Sequence, residues 1–298
     1  MNHKILSLKK TLPEQLNESK KENNCPINND AVKAYFQNAH VENSTLLGMM
    51  IHDYNLPNEA IEYRFEREKE IINEWTSNFD KSARVLDIGC GSGVWTEFFS
   101  KKHGHVVALE QSDVMLTAAK ERLKDIKNIE IIKGDALRDL PDNYFDIIFL
   151  GGLCMYQNDN DVLKILASLK RRLATNGEII LRESTAHKNL FKEKNGYQAI
   201  YRSPSSYYRL FNKSGFIIEN TKRNYSYTSL AITKQIINFQ REHLPFFSKY
   251  PRKTEPFVWW VLRYSEPFSF WALPRILNRL NIFWPDTQNH FFKLSLSS

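Results

Sequence analysis

The sequence predicts an α/β fold: a mostly parallel sheet of seven strands with helices on both faces, an N-terminal helical cap and a helical insertion before the last strand. Three observations carry this. Short apolar runs of strand length alternate with helical patterns over 83–222, the arrangement that gives parallel strands joined by right-handed crossovers. The stretch Val-Leu-Asp-Ile-Gly-Cys-Gly-Ser-Gly, 85–93, turns glycine-rich directly after the first apolar run. Finally, His-Phe-Phe-Lys-Leu-Ser-Leu-Ser, 290–297, has strand composition and partial alternation, and it follows a long segment with helical spacing.

Taken in order, residues 1–30 are polar and rich in Lys, Asn and Glu, and read as a flexible N-terminal segment. Residues 31–80 read as a helical cap, clearest where Ile61, Phe65, Ile72 and Trp75 share one helix face. The core, 81–222, starts with a buried strand over 83–89 and a helix from Val94. Strands follow at 105–110, 129–136, 145–152, 178–184 and 216–222, with helices from Ser112 to Lys124, from Asp159 to Leu173 and near Pro204. Thr-Asn-Gly at 175–177 reads as a helix stop, and Gly215 as another. Residues 223–289 read as an aromatic helical insertion or lid, and 290–298 as the final core strand. Four of the six tryptophans lie in that insertion, with nine Lys/Arg against four Asp/Glu.

Bulk properties narrow the function. A chain of 298 residues with 42% hydrophobic content can bury a large core. The net charge of +7 favours anionic partners only weakly. Cys25, Cys90 and Cys154 are far apart and form no Cys-x-x-Cys pair or His/Cys cluster, so neither a metal site nor a disulfide framework is expected. This composition, with no apolar signal segment at the start, suits a reducing, cytoplasmic setting. No apolar run reaches the roughly 18 residues that a transmembrane helix needs.

The glycine turn lies where the first strand meets its helix, at the sheet edge where open α/β folds bind ligands. Glu110 closes the second strand and can accept hydrogen bonds from a ribose diol. Asp135 closes the third strand, beside an amide that an adenine ring could meet. Small residues, Gly151 and Gly152, close the fourth. Four successive strand ends thus suit one nucleoside ligand.

In this order of motifs, Val-Leu-Asp-Ile-Gly-Cys-Gly-Ser-Gly, Ala-Leu-Glu-Gln-Ser, Lys-Gly-Asp-Ala and Phe-Asp-Ile-Ile-Phe-Leu-Gly-Gly, the chain resembles the class I S-adenosylmethionine-dependent methyltransferases. The resemblance covers about 83–222 and implies a Rossmann-like sheet, S-adenosylmethionine as cofactor and S-adenosylhomocysteine as product. It implies that Asp87, Gly89 and Gly91 hold the methionyl end and that Glu110 binds the ribose. Gln111 and Met115 would flank the adenine, Asp135 and Ala136 would meet it, and Gly151 would close the site. Arg64, on the helix before the first strand, is a further cofactor candidate; a solvated helix charge is the alternative.

The acceptor is expected to be a small metabolite, aromatic or apolar, methylated on N or O, or on C. Tyr156 and His187, on loops after the fourth and fifth strands, are the candidate catalytic residues. Tyr35, Tyr201, Arg202, Trp259 and Trp260 are candidate substrate contacts. The stretch from Leu153 to Ser184, followed by Tyr-Arg-Ser-Pro-Ser-Ser-Tyr-Tyr at 201–208, is similar to the phosphoethanolamine N-methyltransferases, which makes a phosphobase the first alternative acceptor. An RNA methyltransferase is the second, although no appended RNA-binding motif or long basic stripe is seen, and no DNA partner is expected. The aromatic insertion leaves a lid, a dimer contact and a peripheral membrane contact open.

Overall fold

The computed structural model describes residues 27–38, 58–194, 196–243 and 251–296. Residues 1–26 of the expected N-terminal segment and 39–57 of the expected cap lie outside these. A seven-stranded sheet organises the molecule. In chain order, β1 (Arg84–Ile88), β2 (His105–Glu110), β3 (Ile129–Lys133), β4 (Phe145–Leu150) and β5 (Leu173–Ala186) run parallel. A separate hairpin follows, β6 (Leu190–Lys194) and β7 (Tyr197–Tyr201), then β8 (Phe216–Arg223) and β9 (Thr287–Leu296). The spatial order is β3-β2-β1-β4-β5-β9-β8. β9 is antiparallel to both of its neighbours, so the late strand fills the gap between β5 and β8.

Alternation along the strands builds a core on each face. Leu86 and Ile88 of β1 join Ile148, Leu181 and Phe292 in one cluster. Val85, from the same strand, joins Ile147, Ile180 and Phe291 in the other. The helices α1 (Asn29–Gln37), α2 (Asn58–Trp75), α3 (Val94–Ser100), α4 (Asp113–Leu123), α5 (Asp159–Lys170) and α6 (Pro204–Lys213) surround the sheet. Local chemistry sets their starts. Ser112 caps α4 by accepting from the Met115 amide, and Ser203 caps α6 by accepting from the Ser206 amide, with Pro204 in the first turn. Ile61, Phe65, Ile72 and Trp75 of α2 are all buried, as the shared helix face predicts.

The expected insertion is largely helical among the described residues. It holds α7 (Tyr225–His243), α8 (Pro251–Tyr264), a π-helical turn at Pro267–Ala272 and α9 (Leu273–Arg279). Leu230, Ile232 and Ile237 of α7 pack with Trp259 and Phe270, and with Ile61 from α2, in a satellite cluster.

Two elements differ from the sequence reading. The helix expected to reach Leu173 ends at Lys170, and Thr175–Gly177 lies within the start of β5. There Asn176 takes φ 63° and the pairing with β4 shifts register between Phe145 and Ile147, so the stop signal marks a bulge. The β6–β7 hairpin was not foreseen at all. Its signal was present as Asn195-Gly196, a turn dipeptide between short alternating runs; Gly196 has φ 80°.

Candidate functional site

At the carboxyl ends of β1 to β5 lies a cavity of about 660 Å³, within the range of small-molecule sites. The glycine turn forms its floor. Gly89, Gly91 and Gly93 take φ values of 70°, 56° and 80°, a left-handed backbone that disfavours side chains. The turn is tied to β2: the Gly89 and Cys90 amides both donate to the Leu109 carbonyl. The Gly91 amide donates to Glu110 Oε2 at 3.0 Å, and the Ser112 amide donates to Glu110 Oε1 at 2.8 Å. Two backbone donors therefore fix the Glu110 carboxylate at the cavity wall.

Asp87 is buried at the end of β1 and accepts a 2.6 Å hydrogen bond from Thr96 Oγ1. Burial pushes its carboxyl up to about 7, against the pull of the Thr96 hydroxyl and with added repulsion from Glu110. Asp135 behaves oppositely. Burial raises it, but the Leu137 amide and the Lys33 ammonium more than offset this and hold it below the usual carboxylate range.

The other half of the cavity has different walls. α1 crosses above it with Tyr35 and Phe36, and the 3₁₀ turn Cys154–Tyr156 presents Tyr156. The hairpin contributes Lys192, Lys194, Tyr197 and Tyr201, and α7 contributes Tyr227, Lys234 and Gln235. The tyrosines meet edge to face: Tyr35 and Tyr156 lie 5.4 and 5.9 Å from Tyr197, centroid to centroid. The Tyr197 and Tyr201 hydroxyls are 2.9 Å apart. Burial, above all, raises the Tyr156 phenol well beyond its ordinary value. Tyr156 therefore stays protonated, able to donate a hydrogen bond to an acceptor and unsuited to removing a proton from one.

Arg64 and Arg182 stand where the halves meet, joined by one carboxylate. Arg64 Nε donates to Glu68 Oε1 and Arg182 Nε donates to Glu68 Oε2, each at 2.7 Å. Glu68 is fully buried and also accepts from Asn224 Nδ2 at 2.6 Å.

Of the residues singled out from sequence, the cavity is lined by Arg64, Asp87, Gly89, Gly91, Glu110, Gln111, Asp135, Ala136, Gly151, Tyr35, Tyr156 and Tyr201. The others lie elsewhere. Met115 is 2% exposed, in the first turn of α4, and does not line the cavity. His187 is also outside the lining and stacks on Phe283, with centroids 3.4 Å apart. Arg202 is buried beneath the wall. It donates to the Cys154 and Gln157 carbonyls at 2.6 Å and pairs with Asp159 at 2.8 Å, so its donors shape the Tyr156 turn and are spent there. Trp259 is buried in the satellite cluster and Trp260 projects outward from α8; neither lines the cavity. The insertion does reach the cleft, but through α7. Sequence reasoning missed Lys192, Lys194, Tyr197 and Lys234 because it missed the hairpin and the side of α7 that turns inward.

Sheet order, glycine turn and strand-end carboxylates define a class, the Rossmann-like fold of S-adenosylmethionine-dependent methyltransferases. Residues 85–177 match the family model described as methyltransferase domain. Among curated proteins, phosphoethanolamine N-methyltransferase 1 of Triticum aestivum is 30% identical over 185 residues, 61% of this chain and 36% of that protein. A demethylmenaquinone methyltransferase of Staphylococcus saprophyticus is 36% identical over 123 residues, 39% of this chain and 50% of that protein. The chain thus spans half or less of the length of these relatives. Among solved structures, phosphoethanolamine N-methyltransferase 1 of Haemonchus contortus aligns with TM-score 0.57 at 18% identity, covering 91% of this chain and 49% of that one. A SAM-dependent methyltransferase of Leishmania major aligns with TM-score 0.56 at 21% identity, covering 66% and 76%. At such identities the structural likenesses speak to fold.

Proposed function

We propose that the protein transfers a methyl group from S-adenosylmethionine to a small-molecule acceptor carrying an anionic group. The observation that carries the second part is the division of charge in the cavity. Asp87, Glu110 and Asp135 stand at the ends of β1, β2 and β3, whereas Lys192, Lys194 and Lys234 stand on the hairpin and α7. The acidic half suits a ligand with an ammonium, a ribose diol and an adenine amine. The basic half suits a phosphate or carboxylate. The apolar acceptor expected from sequence rested on the aromatic insertion, whose Trp259 and Trp260 line no part of the cavity. The names of the wheat and Haemonchus relatives point to the same acceptor class, an amine joined to a phosphate.

The residues present fit the cofactor. The left-handed glycine turn leaves the backbone bare where the methionyl end would lie. The Asp87 carboxylate would take its ammonium, Glu110 its ribose hydroxyls and Asp135 its adenine amine. When bound, S-adenosylmethionine supplies a methyl group already activated on a sulfonium sulfur. The protein's task is then mainly to orient the acceptor and exclude water. The hairpin lysines would hold the anionic end, and Tyr156 and Tyr201 would aim the nucleophilic end.

The test is a steady-state methyl-transfer assay on an amino phosphate and on a neutral amine of the same length, with calorimetry of S-adenosylhomocysteine in parallel. Each hairpin lysine replaced by Ala should raise KM for the amino phosphate by about tenfold, the weight of one charged hydrogen bond. The affinity for S-adenosylhomocysteine should not move. Preference for the neutral amine, or an unchanged KM in Lys192→Ala/Lys194→Ala, would remove the anionic acceptor from the reading.

A further inference from the structure

Among the described residues, the exposed apolar side chains are concentrated in one place. Within 257–282, Phe257, Trp260, Val261, Tyr264, Phe268, Trp271, Ile276, Leu280 and Ile282 are all exposed. Elsewhere among the described residues the exposed large hydrophobics are Tyr144, Ile217 and Phe239. Single exposed apolar residues are ordinary, but a run of this density marks an interaction surface.

The pattern is organised. Phe257, Trp260, Val261 and Tyr264 follow the i, i+3, i+4, i+7 spacing of one helix stripe. Their rings stack in a row, Phe257 on Trp260 and Trp260 on Tyr264, at 6.2 and 5.8 Å. Val258, Trp259 and Leu262 of the same helix pack inward with Phe270 from the π-helical turn. The stripe on α8 and the flanking Phe268 and Trp271 therefore point away from a shared core. Tyr264 is 83% exposed and Trp260 59%, more than packing against the protein itself would leave.

Charge identifies the partner. Over 257–282 the basic residues are Arg263, Arg275 and Arg279, and the one acid is Glu266. That acid is already engaged, accepting from Arg263 and from the Tyr63 hydroxyl. Arg275 lies over the Trp271 ring at 3.9 Å, which sets a cation beside an exposed indole. No described residue of 257–282 lines either cavity; the face offers rings to be embedded, with no slot to receive a partner's side chain. A second copy is a poor match. A two-fold contact would bring this basic face against itself.

We infer that this face seats the protein on an anionic lipid bilayer, with the α8 stripe, Phe268 and Trp271 in the headgroup region and Arg275 and Arg279 against lipid phosphates. Indole and phenol rings favour that boundary, and cations near it gain from the surface potential. No helix among the described residues is long and apolar enough to cross a membrane, so the attachment is peripheral.

Flotation of the full chain with vesicles tests this, using equal parts phosphatidylcholine and phosphatidylglycerol against phosphatidylcholine alone. The protein should float with the mixed vesicles, and added salt should weaken this. Trp260→Ser/Trp271→Ser and Arg275→Glu/Arg279→Glu should each reduce binding at least about tenfold. The thermal shift given by S-adenosylhomocysteine should be unchanged in both, which separates lost docking from misfolding. No binding to the mixed vesicles, or variants that bind like the wild type, would overturn the inference. So would a concentration-dependent dimer abolished by the tryptophan changes in a protein that ignores vesicles.

Discussion

Asp87 and Glu183 are both buried, and burial pushes each carboxyl up to about 7. The folded chain then binds these two protons more tightly than the unfolded chain. The stability they contribute is intact below the ordinary carboxylate value near 4 and is lost as pH rises through about 7. Thermal melts of the unliganded protein should show this loss, and Asp87→Asn and Glu183→Gln should each flatten it. Ligand binding has the opposite sign at Asp87, because an ammonium prefers the ionised carboxylate. Calorimetry should find S-adenosylhomocysteine affinity falling about tenfold per pH unit below 7. In Asp87→Asn it should be weak and independent of pH. Gly91→Val should leave a folded protein that no longer binds the ligand, since a side chain would enter the turn at φ 56°; binding of wild-type strength would remove that turn from the methionyl site. Asp87, Glu110 and Asp135 were legible in the sequence because each sits at a strand end, where chain position alone fixes location. Met115, His187 and Arg202 lie outside the cavity lining for the complementary reason: side-chain direction depends on partners remote in sequence, such as Phe283 for His187 and Asp159 for Arg202.

At the level of elements, the two glycine positions Gly93 and Gly196 make a controlled pair. Both have φ 80°. An added Cβ at Gly93 would stand 2.8 Å from Leu123 Cδ1, whereas at Gly196 it would meet nothing within 4 Å. Gly196→Ala should cost only the backbone term, about 1–2 kcal/mol. Gly93→Ala should cost more, because the buried Leu123 side chain must also shift; equal losses in chemical denaturation would contradict that. The elements of the sheet were readable because each apolar run is bounded by turn residues and followed by a helix of ordinary length. The hairpin escaped because its strands are short and half-polar, and their pattern competes with the loop composition around them. The cavity side of α7 escaped because it is mostly polar: Tyr227, Ala231, Lys234, Gln235 and Asn238 line the cavity, and no hydrophobic periodicity announces such a face.

Across the whole molecule, Glu68 is the joint. It ties α2 to β5 through Arg182 and to the start of the insertion through Asn224, which in turn donates to Asn289 of β9 at 3.0 Å. Removing it leaves two guanidinium groups, of Arg64 and Arg182, without their shared buried counter-charge. Glu68→Ala should lower stability by about 3–5 kcal/mol, measured by urea denaturation, and a loss within experimental scatter would show that packing alone docks the insertion. The seven-stranded, mostly parallel sheet was legible once the motifs had fixed the fold. This joint was not, because its members are drawn from four segments spread over more than half the chain.

The hairpin that carries Lys192 and Lys194 stands outside the main sheet. It is two strands wide, and its link to β5 is an isolated bridge between Thr185 and Arg202. Ribbons of two strands hold themselves together poorly and rely on what they lean against. Its backbone amides should therefore trade their protons for deuterium well before those of β1 and β4, reporting a wall of the cavity that opens while the sheet stays closed. A ligand lodged against Tyr197 and Tyr201 should slow that exchange in the hairpin and leave the sheet as it was.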